Sequence, residues 1–485
     1  MSAKAKNAGL KRRALLVNPW ITDFAAYDFW MKPMGLLSVG AVLRKMGFEL
    51  DLIDCMDRYD PDLQKWPGIS VPKEKRYGTG KYLRKIIEKP PIFASVPRYF
   101  ARYGIPVELF VAKLKRLPRP DILLVTSYMT YWYPGVHQAV WLLRQYFPDV
   151  PIILGGVYAT LAPKHARQVM EPDQVVQGEG EPQIHRILSQ FFRDLPEPDL
   201  NQHDLDTWPL PAYDLYPRVR TLPILTSRGC PFRCTFCASS LIAGKYRSRS
   251  PESVLEEIEL YYRHYHVRDL AFYDDALLIA KERHLIPILE GVLAKGYPLR
   301  FHTPNGLHAR EIDGPLAELM VQSGFKTIRL SFETANPARL RDMNSKVTPD
   351  DLVNAVDALE AANFPRKRVE VYVLIGLPGQ DYDEMMRSIL LVHQLGVKIR
   401  LAHFSPIPGT VEFRRAVEAG ILNDQTDLLW TNNSVFGYLI GKKHQEKLEA
   451  LNRLAKLLNQ AVDLDVVLLN ENFIGRLFKK WVADF

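Results

Sequence analysis

The sequence predicts an α/β protein made of two parallel-sheet units in series: a doubly wound sheet in the N-terminal half, then six strand-helix units that close most of a barrel, then a helical C-terminal region. Two observations carry this expectation. Short apolar runs alternate with amphipathic stretches of helical period from about residue 14 to 195, and after a break the alternation resumes from 222 to 403. The break, 197–217, is rich in Pro and Asp without periodicity and reads as a linker. The expected units are therefore 1–196, the linker 197–217, the barrel 218–410 and a helical region 411–485.

In the first unit, strands are expected at 14–18, 49–54, 121–127, 151–155 and 174–177, with helices at 34–45, 135–146, 163–169 and 182–192. Ligands of such sheets sit beyond the carboxyl ends of the strands. The turns there are Asn18-Pro19, Thr126-Ser127, Gly155-Gly156 and Gly178-Glu179-Gly180-Glu181. Between the second and third strands, about 55–120 is too long for a plain loop. Its stretches 81–89 and 97–115 read as helical and rich in aromatic and basic residues, so the insert is expected to be a helical subdomain covering a pocket. The barrel strands are expected at 222–226, 269–273, 300–304, 327–332, 370–375 and 399–403, with helices at 251–264, 281–294, 315–323, 349–362 and 384–395. Helices at 443–461 and 466–481 follow. The last sets Phe473, Leu477 and Trp481 beside Arg476, Lys479 and Lys480; docking on the barrel with a basic outer face is favoured over contact with a membrane surface.

At 485 residues, 47% hydrophobic and 24% charged, the composition is that of a globular chain and excludes disorder. The net charge of +8 comes from dispersed basic residues, which favours a solvated surface over nucleic-acid binding. No eighteen consecutive apolar residues occur, so no transmembrane helix is expected. The run Ala14-Leu15-Leu16-Val17 is too short for a signal peptide. Four cysteines, three of them clustered, make no disulfide framework and point to a reducing, cytoplasmic setting.

Those three lie in Gly229-Cys230-Pro231-Phe232-Arg233-Cys234-Thr235-Phe236-Cys237. The spacing Cys-x-x-x-Cys-x-x-Cys lets one loop wrap three thiolates around a 4Fe-4S cube and leave the fourth iron without a protein ligand. A structural zinc knuckle is the alternative, but it needs a fourth Cys or His. Only Cys55 remains, far upstream, and a small buried hydrophobe is the better reading of it. His302 and His403 end barrel strands, where a lone histidine is more often structural than catalytic.

The cysteine stretch resembles the signature of the radical S-adenosylmethionine (SAM) superfamily, and the strand ends behind it match that pattern in order. The resemblance implies that Cys230, Cys234 and Cys237 hold the cluster and that Phe236 packs on the adenine. Tyr273, Asp274 and Asp275 would accept from the SAM ammonium, though the usual Gly-Gly-Glu is absent. Ser331 and Glu333 stand where ribose and methionine contacts are usual, and the turn at Gly376 would border the adenine. An electron would come from a reductase, flavodoxin or ferredoxin.

The N-terminal half resembles the Rossmann-like cobalamin-binding-type domain that precedes the barrel in one radical SAM class, on Pro33-Met34-Gly35-Leu36, Gly155-Gly156-Val157-Tyr158-Ala159-Thr160 and Gly178-Glu179-Gly180-Glu181. The resemblance places Asn18, Thr126, Ser127, Gly155, Gly156 and Glu179 against the corrin. No Asp-x-His-x-x-Gly motif occurs, so no histidine is expected on cobalt, and the loop 128–133 would meet the lower face or else pack between domains. The leading expectation is cobalamin-dependent methylation of an unactivated carbon. Its rivals are a radical cyclisation, coupling or rearrangement without cobalamin, and a non-catalytic iron-sulfur protein. The aromatic insert and basic last helix hint at a large or apolar substrate.

Overall fold

The structure, a computed structural model, describes residues 12–466 apart from 345, 346 and 424. Of the helix expected at 466–481, all but the first residue lies outside the described residues.

The first sheet contains β1 (Arg13–Asn18), β2 (Glu49–Asp54), β3 (Ile122–Val125), β4 (Ile152–Leu154) and β5 (Gln174–Val175), in the order β5-β4-β3-β1-β2 and parallel throughout. Successive side chains of β1 point to opposite faces. Leu15 and Val17 pack with Val136, Val140 and Leu143 of the helix Tyr133–Tyr146, while Ala14 and Leu16 pack with Leu36, Val42 and Leu43 of the helix Met34–Lys45. Both faces are thus covered, as a parallel sheet requires. Each fully buried leucine contributes about 2 kcal/mol. Strand order reverses between β1 and β3, which puts the switch point at Asn18, Thr126 and Ser127.

The insert departs from its expected helical character. Among its described residues only Val107–Arg116 and the short Pro61–Gln64 are α-helical. Residues Arg84–Ile86 pair with Ala101–Tyr103, which pair in turn with Ile21–Asp23 just beyond β1. Pro90, Pro91, Pro97 and Pro106 explain the correction: proline lacks the amide that a helix over 97–115 needs, and the helix starts only after Pro106. The strand partner at 21–23 is remote in sequence, so local periodicity could not reveal it. Two of the insert's aromatics pack on elements outside it, Phe93 and Phe100 on Phe24 and Phe93 on Trp430, while Tyr99 is exposed.

The second sheet contains β6 (Thr221–Ile224), β7 (Asp269–Phe272), β8 (Arg300–His302), β9 (Phe325–Glu333), β10 (Val369–Ile375) and β11 (Lys398–His403), parallel and adjacent in this order, with the two-residue strand Leu307–His308 paired on β9 off this path. A strand paired in sequence order with a crossover between each pair winds in one hand, which curls the sheet toward a barrel. Phe272 stacks on Phe301 and Phe325 within its core, and the three ring centroids lie 5.2 to 5.9 Å apart. The open edge at β11 is capped by the helix Lys442–Asp463: Asn459 accepts from the Ile399 amide at 2.8 Å and donates to the Ile399 carbonyl at 2.9 Å.

The two units meet through apolar, aromatic and polar contacts, with Leu37 of the first unit buried in the barrel core. Tyr216 donates to Asp54 at 2.6 Å, Tyr273 donates to the Phe29 carbonyl at 2.6 Å, and Trp30 stacks on His302 at 4.4 Å. His302, fully buried and bonded to Asp269 and Thr327, is part of this packing. No helix among the described residues is long and apolar enough to cross a membrane.

Candidate cofactor site

The cysteine loop springs from a short antiparallel ribbon in which Ser227 and Arg228 face Ser248 and Arg247. It closes at Gly229, whose φ is +76° and where a Cβ would stand 2.8 Å from the Lys245 carbonyl oxygen. Only glycine fits there. Beyond it Cys230, Cys234 and Cys237 line one cavity of about 210 Å³. Cys230 is buried and Cys237 exposed. The Ser239 hydroxyl lies 3.2 Å from the Cys237 sulfur, and the Ser239 amide donates to it at 3.5 Å. No three His, Cys, Asp or Glu among the described residues converge on a point that could hold a single metal ion. Three thiols spread around a cavity suit a cube better than zinc, which needs four ligands around one point.

The same cavity is lined by Phe236, Asp275, Asn305, Gly306, Ser331 and Glu333. Gly306 lets its chain pass β9, since a Cβ there would meet the Ser331 hydroxyl at 2.2 Å. Glu333 has φ +73° and ends β9 at a register shift, an irregularity that re-aims a side chain. Phe236 also packs against the apolar cluster that contains Leu374, Leu377 and Phe404. Gly376, at φ +83°, turns behind the end of β10 against Leu448 and His444.

The neighbours Tyr273, Asp274 and Asp275 separate. Tyr273 points to the first unit, as above, and Asp275 lines the cavity. Asp274 is 4% exposed, and its Oδ1 accepts from the amides and hydroxyls of Thr226 and Ser227 at 2.6 to 3.0 Å. Burial pushes its carboxyl up against the opposing influence of those donors. Asp274 therefore braces the entry to the cysteine loop. His284 supports it from behind, with Nε2 2.8 Å from the Thr226 hydroxyl.

Burial pushes His284 down to about 4. A histidine of ordinary acidity in the unfolded chain takes up a proton near pH 6.5, which the folded chain resists until about pH 4. Stability therefore falls as pH falls through that window and levels off below it. Relative to His284→Gln, the wild-type apo chain should lose about 2 kcal/mol between pH 7 and pH 5. The measurement is the urea midpoint of both chains at the two pH values; parallel shifts in both would refute the assignment.

At the switch point of the first sheet, Asn18 donates to Asp54 at 2.6 Å, and its buried Oδ1 has no partner. The buried Tyr128 hydroxyl is likewise without one. Ser127 donates to the Gly155 carbonyl at 2.6 Å. Gly155 and Gly156 differ sharply: a Cβ on Gly156, at φ +93°, would meet the Ser127 carbonyl oxygen at 2.2 Å, whereas on Gly155 the nearest atom is 3.9 Å away. Gly156 makes the turn, and Gly155 leaves an open cradle. A cradle beside orphaned polar atoms fits a large ring with amide side chains. Glu179 turns elsewhere, onto Arg247 at 2.7 Å. The loop 128–133 packs on the C-terminal region, with Tyr133 donating to Asp427 at 3.1 Å and Thr130 and Thr431 hydroxyls 3.1 Å apart, while Trp132 donates to Asp23 at 2.6 Å.

Ser239, Arg228 and Arg247 escaped the sequence reading. Only the position of Arg228 directly before Gly229 could have drawn notice.

A three-cysteine loop over the strand ends of a partial barrel, behind a doubly wound domain, defines an iron-sulfur enzyme that works on SAM beside a corrin-type domain. The radical SAM superfamily matches residues 224–392, and the B12 binding domain matches residues 99–188. The chain belongs to the radical SAM superfamily and carries a B12-binding domain ahead of its barrel; its cofactors are a 4Fe-4S cluster, SAM and cobalamin. An uncharacterized methyltransferase of Pyrococcus horikoshii is 25% identical over 380 residues, covering 72% of this chain and 80% of the relative. Cytidylyl-2-hydroxyethylphosphonate methyltransferase of Streptomyces wedmorensis is 23% identical over 484 residues, covering 86% and 84%. Among solved structures, the radical SAM methyltransferase TsrM from Kitasatospora setae, with cobalamin and a [4Fe-4S] cluster bound, superposes with a TM-score of 0.61 at 16% identity over 84% of this chain and 78% of that one. That likeness establishes the shared fold.

Proposed function

We propose that this radical SAM enzyme methylates an unactivated carbon with the help of cobalamin. When bound, the cluster and SAM supply a 5'-deoxyadenosyl radical and cobalamin carries the methyl group. The observation that supports this reading is the open cradle at Gly155, beside the unpartnered Asn18 Oδ1 and Tyr128 hydroxyl, on the sheet that abuts the cysteine barrel.

The chain's own residues bind and orient. Cys230, Cys234 and Cys237 would hold the cluster, and Ser239 would donate to the Cys237 thiolate, which tunes such a cluster's potential. Phe236 would pack on the adenine. Asp275 would accept from the SAM ammonium, while Glu333 and Ser331 would meet its ribose and methionine parts. Asn18, Thr126, Ser127 and Gly155 would border the corrin. The electron donor would be a flavodoxin, ferredoxin or reductase approaching the exposed Cys237 side, in a reducing cytoplasm.

The test uses anaerobically reduced protein loaded with cobalamin and given SAM carrying a labelled methyl group. S-adenosylhomocysteine should form once per bound cobalamin, together with 5'-deoxyadenosine. Formation of 5'-deoxyadenosine without any S-adenosylhomocysteine would favour a radical reaction without methyl transfer. In the same assay Asp275→Ala should weaken SAM binding ten- to a hundredfold, the loss of one charge-assisted hydrogen bond of about 1.5 to 3 kcal/mol. Unchanged affinity would remove Asp275 from the SAM site.

A further inference from the structure

Arg228 and Arg247 stand directly opposite each other on the ribbon that forms the neck of the cysteine loop. Like charges at paired positions repel, and both side chains are more than four-fifths shielded from water. The first domain supplies the counter-charge. Glu181 accepts from Arg228 at 2.7 Å, and Glu179 takes Arg247 at 2.7 Å on both oxygens and Arg228 at 3.5 Å. Burial by itself would push Arg228 down, but Glu181 and Glu179 outweigh it and hold the guanidinium above its usual range. The Trp208 ring of the linker lies 4.7 Å from Arg228 and 5.8 Å from Arg247, so the first domain and the linker both grip the neck.

The turn carrying these carboxylates is fastened at its other end as well. The Gly178 amide donates to the Thr160 hydroxyl at 2.9 Å, and that hydroxyl donates to the Gly156 carbonyl at 2.8 Å. Gln183 braces the turn by donating to the carbonyls of Gln177 and Glu179 at 2.8 and 2.7 Å. A continuous polar path therefore runs from the glycine turn of the first sheet to the neck of the cysteine loop.

We propose that Glu179 and Glu181 are positioning residues, a strut between the turn at Gly156 and the cysteine loop that fixes the shape of the loop and its distance from the first domain. The loop end of the strut stands on the ion pairs alone; the significance of the other end rests on the cobalamin reading above.

Full-length protein, reconstituted anaerobically with iron and sulfide, is compared with E179Q/E181Q by amide hydrogen exchange and by electron paramagnetic resonance of the reduced cluster with SAM. The variant should hold as much iron as wild type. Exchange over 227–248 should rise about tenfold or more while β3 and β10 keep their rates, the mark of a local rather than a global loosening. The cluster signal should broaden, and the charge-swapped pair E179R/R247E should restore much of the wild-type behaviour. An unchanged loop and signal would overturn the proposal, and so would a rise spread evenly over the barrel. If the double variant does not accumulate, E179Q alone, which leaves the Glu181 to Arg228 pair, decides the matter by the same comparison. A wild-type chain that takes up no cobalamin would sink the methylation reading, while the exchange result would still judge the strut.

Discussion

Replacing Cys230, Cys234 and Cys237 together by alanine should empty the anaerobically reconstituted protein of iron, from about four irons and four sulfides per chain to none. Cys55→Ala should leave the metal content unchanged. The contrast follows from placement. The three loop cysteines open on one cavity, whereas Cys55 is fully buried beside the first sheet and burial pushes its thiol well up, away from the thiolate that binds metal. Iron and sulfide analysis with the charge-transfer absorbance reads the outcome. A full cluster in the triple variant would remove the basis for placing SAM chemistry in this barrel.

Gly155→Leu should abolish cobalamin uptake while the cluster still assembles. Its Cβ has 3.9 Å to the nearest atom and its φ is not positive, so the fold tolerates the change and the added bulk occupies the cradle. Gly156 cannot serve for this experiment. Its positive φ and the 2.2 Å approach to the Ser127 carbonyl mean that even alanine would strain the turn, on the order of 1 to 3 kcal/mol before any ligand is considered. Uptake is read from the corrin absorbance of purified protein, and a bound cofactor should show the spectrum of cobalt without a histidine ligand. Normal uptake by the Gly155 variant would place the corrin elsewhere or nowhere.

The strand pattern was legible because both faces of each parallel sheet are covered, which leaves short apolar runs such as 14–18 and 370–375 in plain view. The cysteine loop was legible because its three cysteines fall within eight residues of one another. The insert was not, because Arg84–Ile86 and Ala101–Tyr103 owe their strand form to pairing with each other and with 21–23 rather than to their own periodicity. Sequence also could not separate Asp274 from Asp275. Consecutive residues at a strand end point to opposite sides, and only the positions of Thr226 and Ser227 decide which carboxylate is spent on the backbone. Glu179 and Glu181 are a similar case, since the arginines that occupy them lie some fifty to seventy residues away.

Asn459 offers one donor and one acceptor to a single residue of β11, so its side chain imitates the peptide unit of a missing strand. Such a pairing admits no sliding: a helix displaced by one turn would break both bonds at once. The 22-residue helix is therefore indexed against the sheet like a key in a slot. Leu448 lies eleven positions earlier, about 16 Å along the axis, against the Gly376 turn. The wall behind the cleft thus takes its register from a polar contact at the far end of the same rod, while Leu451, Leu454 and Leu458 between them hold the rod against the barrel core.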